Sequence, residues 1–196
     1  MKLFLKFFFC FFFLNASSQS GEVKLLTSIY ADSSKTKDAF AKGLSFSVAP
    51  ISFGVPAVIL ITGIIKKDSA LIEKGIKASV AFAVNAVIST GMKFYVDRSR
   101  PYAIYPDLFH PKASAGPYSF PSSHTSFAFA TATSITLMCP KWYVAVPAYA
   151  WAAGAGWSRM HLGMHYPTDV FMGALIGTAS SFLSFKLEKL INKKKK

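Results

Sequence analysis

With 196 residues the chain has room for one domain, and at 52% hydrophobic, 16% charged and 19 phenylalanines it lies outside the balance of soluble proteins. Its formal charge of +13 at pH 7 gathers on no single basic face, which speaks against a nucleic-acid partner. Two cysteines, Cys10 and Cys139, are too few for a disulfide framework or a cysteine-based zinc site.

The chain opens on MKLFLKFFFCFFFLNASSQS, with Lys2 and Lys6 before an apolar run from Phe7 to Leu14 and small residues at Ala16 and Ser18. This pattern predicts a secretory signal peptide over residues 1–18, too short to span comfortably; if retained, it is an N-terminal anchor. Residues 19–43 are polar and mixed in charge and read as an extracytoplasmic segment, in which Leu25, Leu26, Ile29 and Tyr30 form a partial stripe suited to a short interfacial helix. From Leu44 to Ile65 no residue is charged; as a helix this stretch is about 33 Å long against about 30 Å of hydrocarbon.

Four further apolar runs follow, near residues 76–95, 122–139, 142–157 and 169–187. If the cleaved chain starts outside, the inner segments hold 11 Lys residues and the loops between spans at the outer face 5 Lys or Arg, as the positive-inside rule expects. Lys24, Lys35, Lys37 and Lys42 lie outside and run against that count. The predicted fold is an all-α polytopic membrane bundle over residues 44–188, with about five spans, or six if the signal segment stays, and a Lys-rich cytoplasmic tail at 189–196.

Polar chemistry concentrates in the outer loops. KFYVDRSRP carries Lys93 and Arg100, PSSHTSF carries Ser122, Ser123 and His124, and SRMHLGMHYPTD carries Arg159, His165 and Asp169. Spaced four apart, His161, His165 and Asp169 would form a metal-binding face on an unbroken helix, but Gly163 and Pro167 interrupt that helix. The cations Lys93, Arg100 and Arg159 suit phosphate, and a helix beginning at Pro121 and Ser122 would aim the amides of Ser123 and His124 at the same anion. Asp169, four residues after His165, is placed to hold one imidazole nitrogen and leave the other free. Arg98 and Lys112 read as solvated or headgroup-facing charges, His161 as a spacer, His110 as a surface residue, Asn85 as an interhelical hydrogen bond, and Thr131, Thr133 and Ser134 as packing residues.

In order and spacing the three segments resemble the signature of the type 2 phosphatidic acid phosphatase superfamily, with Ser123 standing where that signature usually has Gly. The resemblance implies a nucleophilic His165 forming a phosphohistidine, oriented by Asp169, and a His124 that protonates the leaving group and then activates water. It further implies that Lys93, Arg100, Ser122, the Ser123 amide and Arg159 hold the phosphate oxygens, and that no metal or other cofactor is needed. The implied partners are the membrane and a lipid phosphate, with undecaprenyl diphosphate, phosphatidate, phosphatidylglycerol phosphate and lipid A all compatible. A secreted soluble acid phosphatase, a vanadate-binding haloperoxidase and a non-catalytic protein binding anionic lipid stand as alternatives.

Overall fold

The structure is a computed structural model that describes residues 15–193. Most of the expected signal segment, residues 1–14, and the last three residues of the Lys-rich tail lie outside the described residues. The described residues form seven helices: α1 (Asn15–Ala31), α2 (Lys35–Lys66), α3 (Ser69–Val96), α4 (Pro101–Ile104), α5 (Ser123–Met138), α6 (Trp142–His161) and α7 (Pro167–Lys193).

Local chemistry sets the helix ends. Ser34 caps α2, its Oγ accepting the Lys37 amide at 3.2 Å. The turn into α3 places Lys67 in the left-handed region, after which Asp68 accepts the amides of Ala70 at 2.9 Å and Leu71 at 3.1 Å. Asp97, also left-handed, ends α3, and Ser122 caps α5. Helix α6 stops at His161 because Gly163 adopts φ +71°, a conformation that suits glycine, and Pro167 then starts α7.

The bundle carries its large apolar side chains on the outside. Phe46 is 81% exposed, Trp142 78%, Ile65 75%, Val87 73% and Phe94 66%, whereas most buried positions hold alanine, serine or threonine, with Asn85 and a few large apolar side chains such as Phe82 and Ile176 among them. This arrangement suits a hydrocarbon solvent, whereas a soluble bundle would hold those side chains inside. Helix α2, and α7 over Pro167–Lys186, are long and apolar enough to cross a membrane. The central α5 has only 16 residues, about 24 Å of helix; mostly enclosed by its neighbours, it has little need of an apolar surface.

Polar pairs tie the interior together. Asn85 donates to Ser126 at 3.3 Å, Thr131 to Ser52 at 2.9 Å, and Thr133 pairs with Tyr149 at 2.9 Å. Such bonds contribute about 0.6 kcal/mol each between membrane helices. Closer still is the approach of α7 to α5 at Gly173 and Gly177, where a Cβ would lie 2.6 Å from the Ser122 carbonyl oxygen and 2.0 Å from that of Ser126. Backbone atoms cannot rotate away, so Gly177→Ala should cost about 1–3 kcal/mol and lower the melting temperature in detergent. Gly91→Ala, whose Cβ meets nothing within 4 Å, should not.

Candidate active site

The three motif segments meet at one end of the bundle. Ser99 and Tyr118 form an isolated antiparallel bridge, and the Ser119 amide donates to the Arg98 carbonyl at 2.7 Å, fastening the first segment to the loop that leads into α5. The Ser122 amide donates to the Asp169 carbonyl at 3.0 Å, fastening the second segment to the third. Between them lies a cavity of about 240 Å³, lined among others by Lys93, Arg100, Ser123, His124, Arg159 and His165.

Each cation is held by neutral groups. Lys93 donates to the carbonyls of Pro121 at 2.9 Å and Tyr118 at 3.3 Å. Arg100, 5% exposed, donates from Nε to the Gly116 carbonyl at 2.5 Å and from Nη1 to the Met164 carbonyl at 2.7 Å. Arg159, 3% exposed, donates from Nη1 to Ser45 Oγ on α2 at 2.7 Å, and its buried Nε has no partner. Among the described residues none of the three forms an ion pair with a carboxylate. Burial pushes the Arg100 guanidinium below its usual pKa, with Tyr102 and Asp169 opposing it. Desolvated cations without counter-ions, converging on one cavity, make a site for a multiply charged anion.

His165 lies in the loop between α6 and α7 with its side chain 2% exposed. Its Nε2 is 3.2 Å from Arg100 Nη1, and because arginine only donates, Nε2 carries the lone pair and the ring proton sits on Nδ1. That nitrogen is 3.6 Å from Asp169 Oδ2, just beyond hydrogen-bond length. Burial lowers the His165 pKa to about 3, outweighing the upward pull of Asp169, so the ring is neutral at physiological pH. The site therefore offers a neutral imidazole whose Nε2 lone pair faces the Arg100 guanidinium, on a residue that lines the cavity together with His124.

Two expected positions stand back from the cavity. Ser122 is fully buried, and its Oγ accepts the Thr125 hydroxyl at 2.9 Å; its side chain is used in capping α5, while Ser123 and His124 line the cavity and their amides, in the first turn of α5, have no intrahelical acceptor. Asp169 stands behind His165.

Three readings change. Arg98, taken as a solvated charge, is partly buried and pairs with Asp169 and Glu22, each at 2.7 Å. Asp169 and Glu22 raise the Arg98 pKa against the opposing effect of burial, which is the largest single influence on it. Lys112 pairs with Asp38 at 3.1 Å and donates to Ser33 at 2.7 Å. His161 is more than a spacer: it stacks on Trp157 and reaches Asp38 at 2.8 Å and the Ile29 carbonyl at 3.2 Å, joining α6 to α1 and α2. A metal face shared by His161 and His165 is absent because the helix ends between them.

Sequence reasoning missed Ser45, Ser119 and Glu22. Ser45 had one signal, a serine inside an uncharged run, the usual mark of a buried polar contact in a spanning helix.

Among known proteins, the family model described as PAP2 superfamily matches residues 74–193. An undecaprenyl-diphosphatase of Sulfolobus acidocaldarius is 29% identical over 120 residues, covering 58% of this chain and 55% of that protein. The crystal structure of Aquifex aeolicus LpxE matches with a TM-score of 0.73 at 25% identity, covering 84% of this chain and 94% of that one. A PAP2-type phosphatidylglycerolphosphate phosphatase from Bacillus subtilis matches in fold with a TM-score of 0.77 at 24% identity, covering 97% and 96%. The chain spans about half the length, or less, of the curated relatives it matches.

Proposed function

The chain belongs to the PAP2 superfamily, and on that premise we propose that it hydrolyses a lipid phosphate or diphosphate through a phosphohistidine on His165, at the outer face of a bacterial-type cytoplasmic membrane crossed by about five of its helices. The observation that carries this reading is the set of three cations lining one cavity beside a neutral histidine, Arg100 and Arg159 buried and Lys93 partly so, none of them paired with a carboxylate.

The phosphoryl group enters with its oxygens toward Lys93, Arg100, Arg159 and the amides that open α5. His165 Nε2 forms a bond to phosphorus as the bond from phosphorus to the lipid oxygen breaks, and His124 gives that oxygen a proton. The new bond leaves the ring cationic, with its Nδ1 proton toward Asp169. Water then attacks the phosphohistidine while His124 takes a proton from it, releasing inorganic phosphate and free His165. The cations act by holding charge that is already present and by matching its spread in the transition state. The lipid tail stays in the bilayer against the exposed apolar side chains.

Purified protein, assayed for phosphate release across a panel of lipid mono- and diphosphates with and without chelator, should release phosphate from at least one lipid in both conditions. Intact cells should hydrolyse a short-chain analogue added outside. No release from any lipid would sink the enzyme reading, and release only from disrupted cells would reverse the orientation.

A further inference from the structure

Helix α1 reaches the site through a single carboxylate. The Glu22 side chain is only 8% exposed, and its Oε2 accepts Arg98 Nη2 at 2.7 Å. Its Oε1 accepts the Thr168 amide at 2.9 Å and also the Thr168 hydroxyl. Thr168 is the second residue of α7, where an amide has no intrahelical acceptor, so Glu22 caps from a different helix the turn that carries Asp169. Arg98 uses its Nη1 on Thr168 Oγ1 and on Asp169 Oδ1, both at 2.7 Å, with its guanidinium 4.0 Å over the Tyr166 ring. Helix α1 is seated independently of these charges. Leu26 is fully buried against Phe109 and Tyr166, and the Tyr30 hydroxyl accepts the His110 amide at 3.1 Å.

The order of charges matters. Glu22, Arg98 and Asp169 stand in line as minus, plus and minus. Alone, Arg98 would cancel much of the field that Asp169 presents to His165. With Glu22 answering Arg98, the group keeps one net negative charge for the moment the imidazole becomes cationic.

We propose that Glu22 is a positioning residue for the nucleophile, acting through Arg98 to fix Asp169 and preserve its charge toward His165. This rests on the phosphohistidine reading above. Glu22 lies beyond Ser18, so cleavage of the expected signal segment leaves it in the chain. It touches none of the three cavity cations, so its effect falls on turnover and spares substrate binding.

Glu22→Gln in the full chain keeps the shape and an acceptor for Thr168 while removing the charge. It should lower kcat about tenfold with KM within about twofold. In an Arg98→Gln background, where there is no positive charge to answer, adding Glu22→Gln should change kcat by less than about twofold. A Glu22→Gln enzyme with unchanged kcat overturns the proposal, and so does an equal loss in both backgrounds, which would mean helix capping alone. Detergent melting curves on every variant separate either result from misfolding. If His165→Ala keeps wild-type activity, the nucleophile assignment fails instead and takes this inference with it.

Discussion

His165→Ala should abolish phosphate release, with a loss on the order of 10⁴-fold or more in kcat, because it removes the Nε2 proposed to form the bond to phosphorus. His124 is the only other imidazole lining the cavity, and it is assigned the proton transfers. Little structural loss should accompany the substitution, since the His165 ring makes one hydrogen-bond-length contact, to Arg100 at 3.2 Å, and its Nδ1 is unpartnered. The two histidines should separate cleanly in a trapping experiment with labelled substrate. His124→Ala should accumulate acid-labile phosphoprotein, while His165→Ala should form none. The pH dependence follows in sign. A pKa of about 3 keeps His165 unprotonated in the free enzyme, so after correction for substrate ionisation kcat/KM should show no acid limb from this residue above about pH 5. An acid limb near the ordinary imidazole value in the rate of phosphoprotein formation by His124→Ala would contradict the burial argument, and phosphate release that survives His165→Ala would remove the nucleophile.

How much of this was legible in the sequence depends on the range of the interaction. Helices from residue 44 onward could be read because an uncharged run, a cap such as Ser122 and a breaker such as Gly163 act within a few residues of themselves. The convergence of Lys93, Arg100, His124, Arg159 and His165 was legible for a different reason: alternating spans return every second loop to the same face. What escaped is what depends on distant partners. Arg98 finds Asp169 across 71 positions and Glu22 across 76, and no periodicity marks either pairing. Helix α1 shows only a partial stripe, yet Leu26 is fully buried, because it packs on Phe109 and Tyr166 of the loops at the site end of the bundle. His161 looked inert beside His165 only while both were imagined on one continuous helix.

Asp169→Asn should be nearly as damaging to turnover, and unlike His165→Ala it should also destabilise the fold. The carboxylate is fully buried, and both oxygens accept: Oδ1 from Arg98 at 2.7 Å, Oδ2 from the Tyr166 amide at 2.9 Å and from the Ser119 hydroxyl. An amide replaces one acceptor with a donor. Turned one way its NH₂ faces the Arg98 guanidinium, turned the other it faces the Tyr166 amide, at a position that is fully buried. The cost of one such unsatisfied buried pair is about 1–3 kcal/mol, and Arg98 also loses one of its two counter-charges. The chemical penalty is separate. With a neutral amide in place of the carboxylate, nothing answers the positive charge on the phosphorylated ring, and a misplaced amide can turn His165 to the wrong tautomer, so kcat should fall on the order of 10³-fold while KM moves little. The two penalties can be told apart by adding Arg98→Gln. That change gives the introduced carbonyl or NH₂ a neutral partner and should recover part of the melting temperature without recovering kcat. If instead kcat returned with stability, Asp169 would be acting only as a structural anchor, and the 3.6 Å approach of its Oδ2 to His165 would have no part in the chemistry.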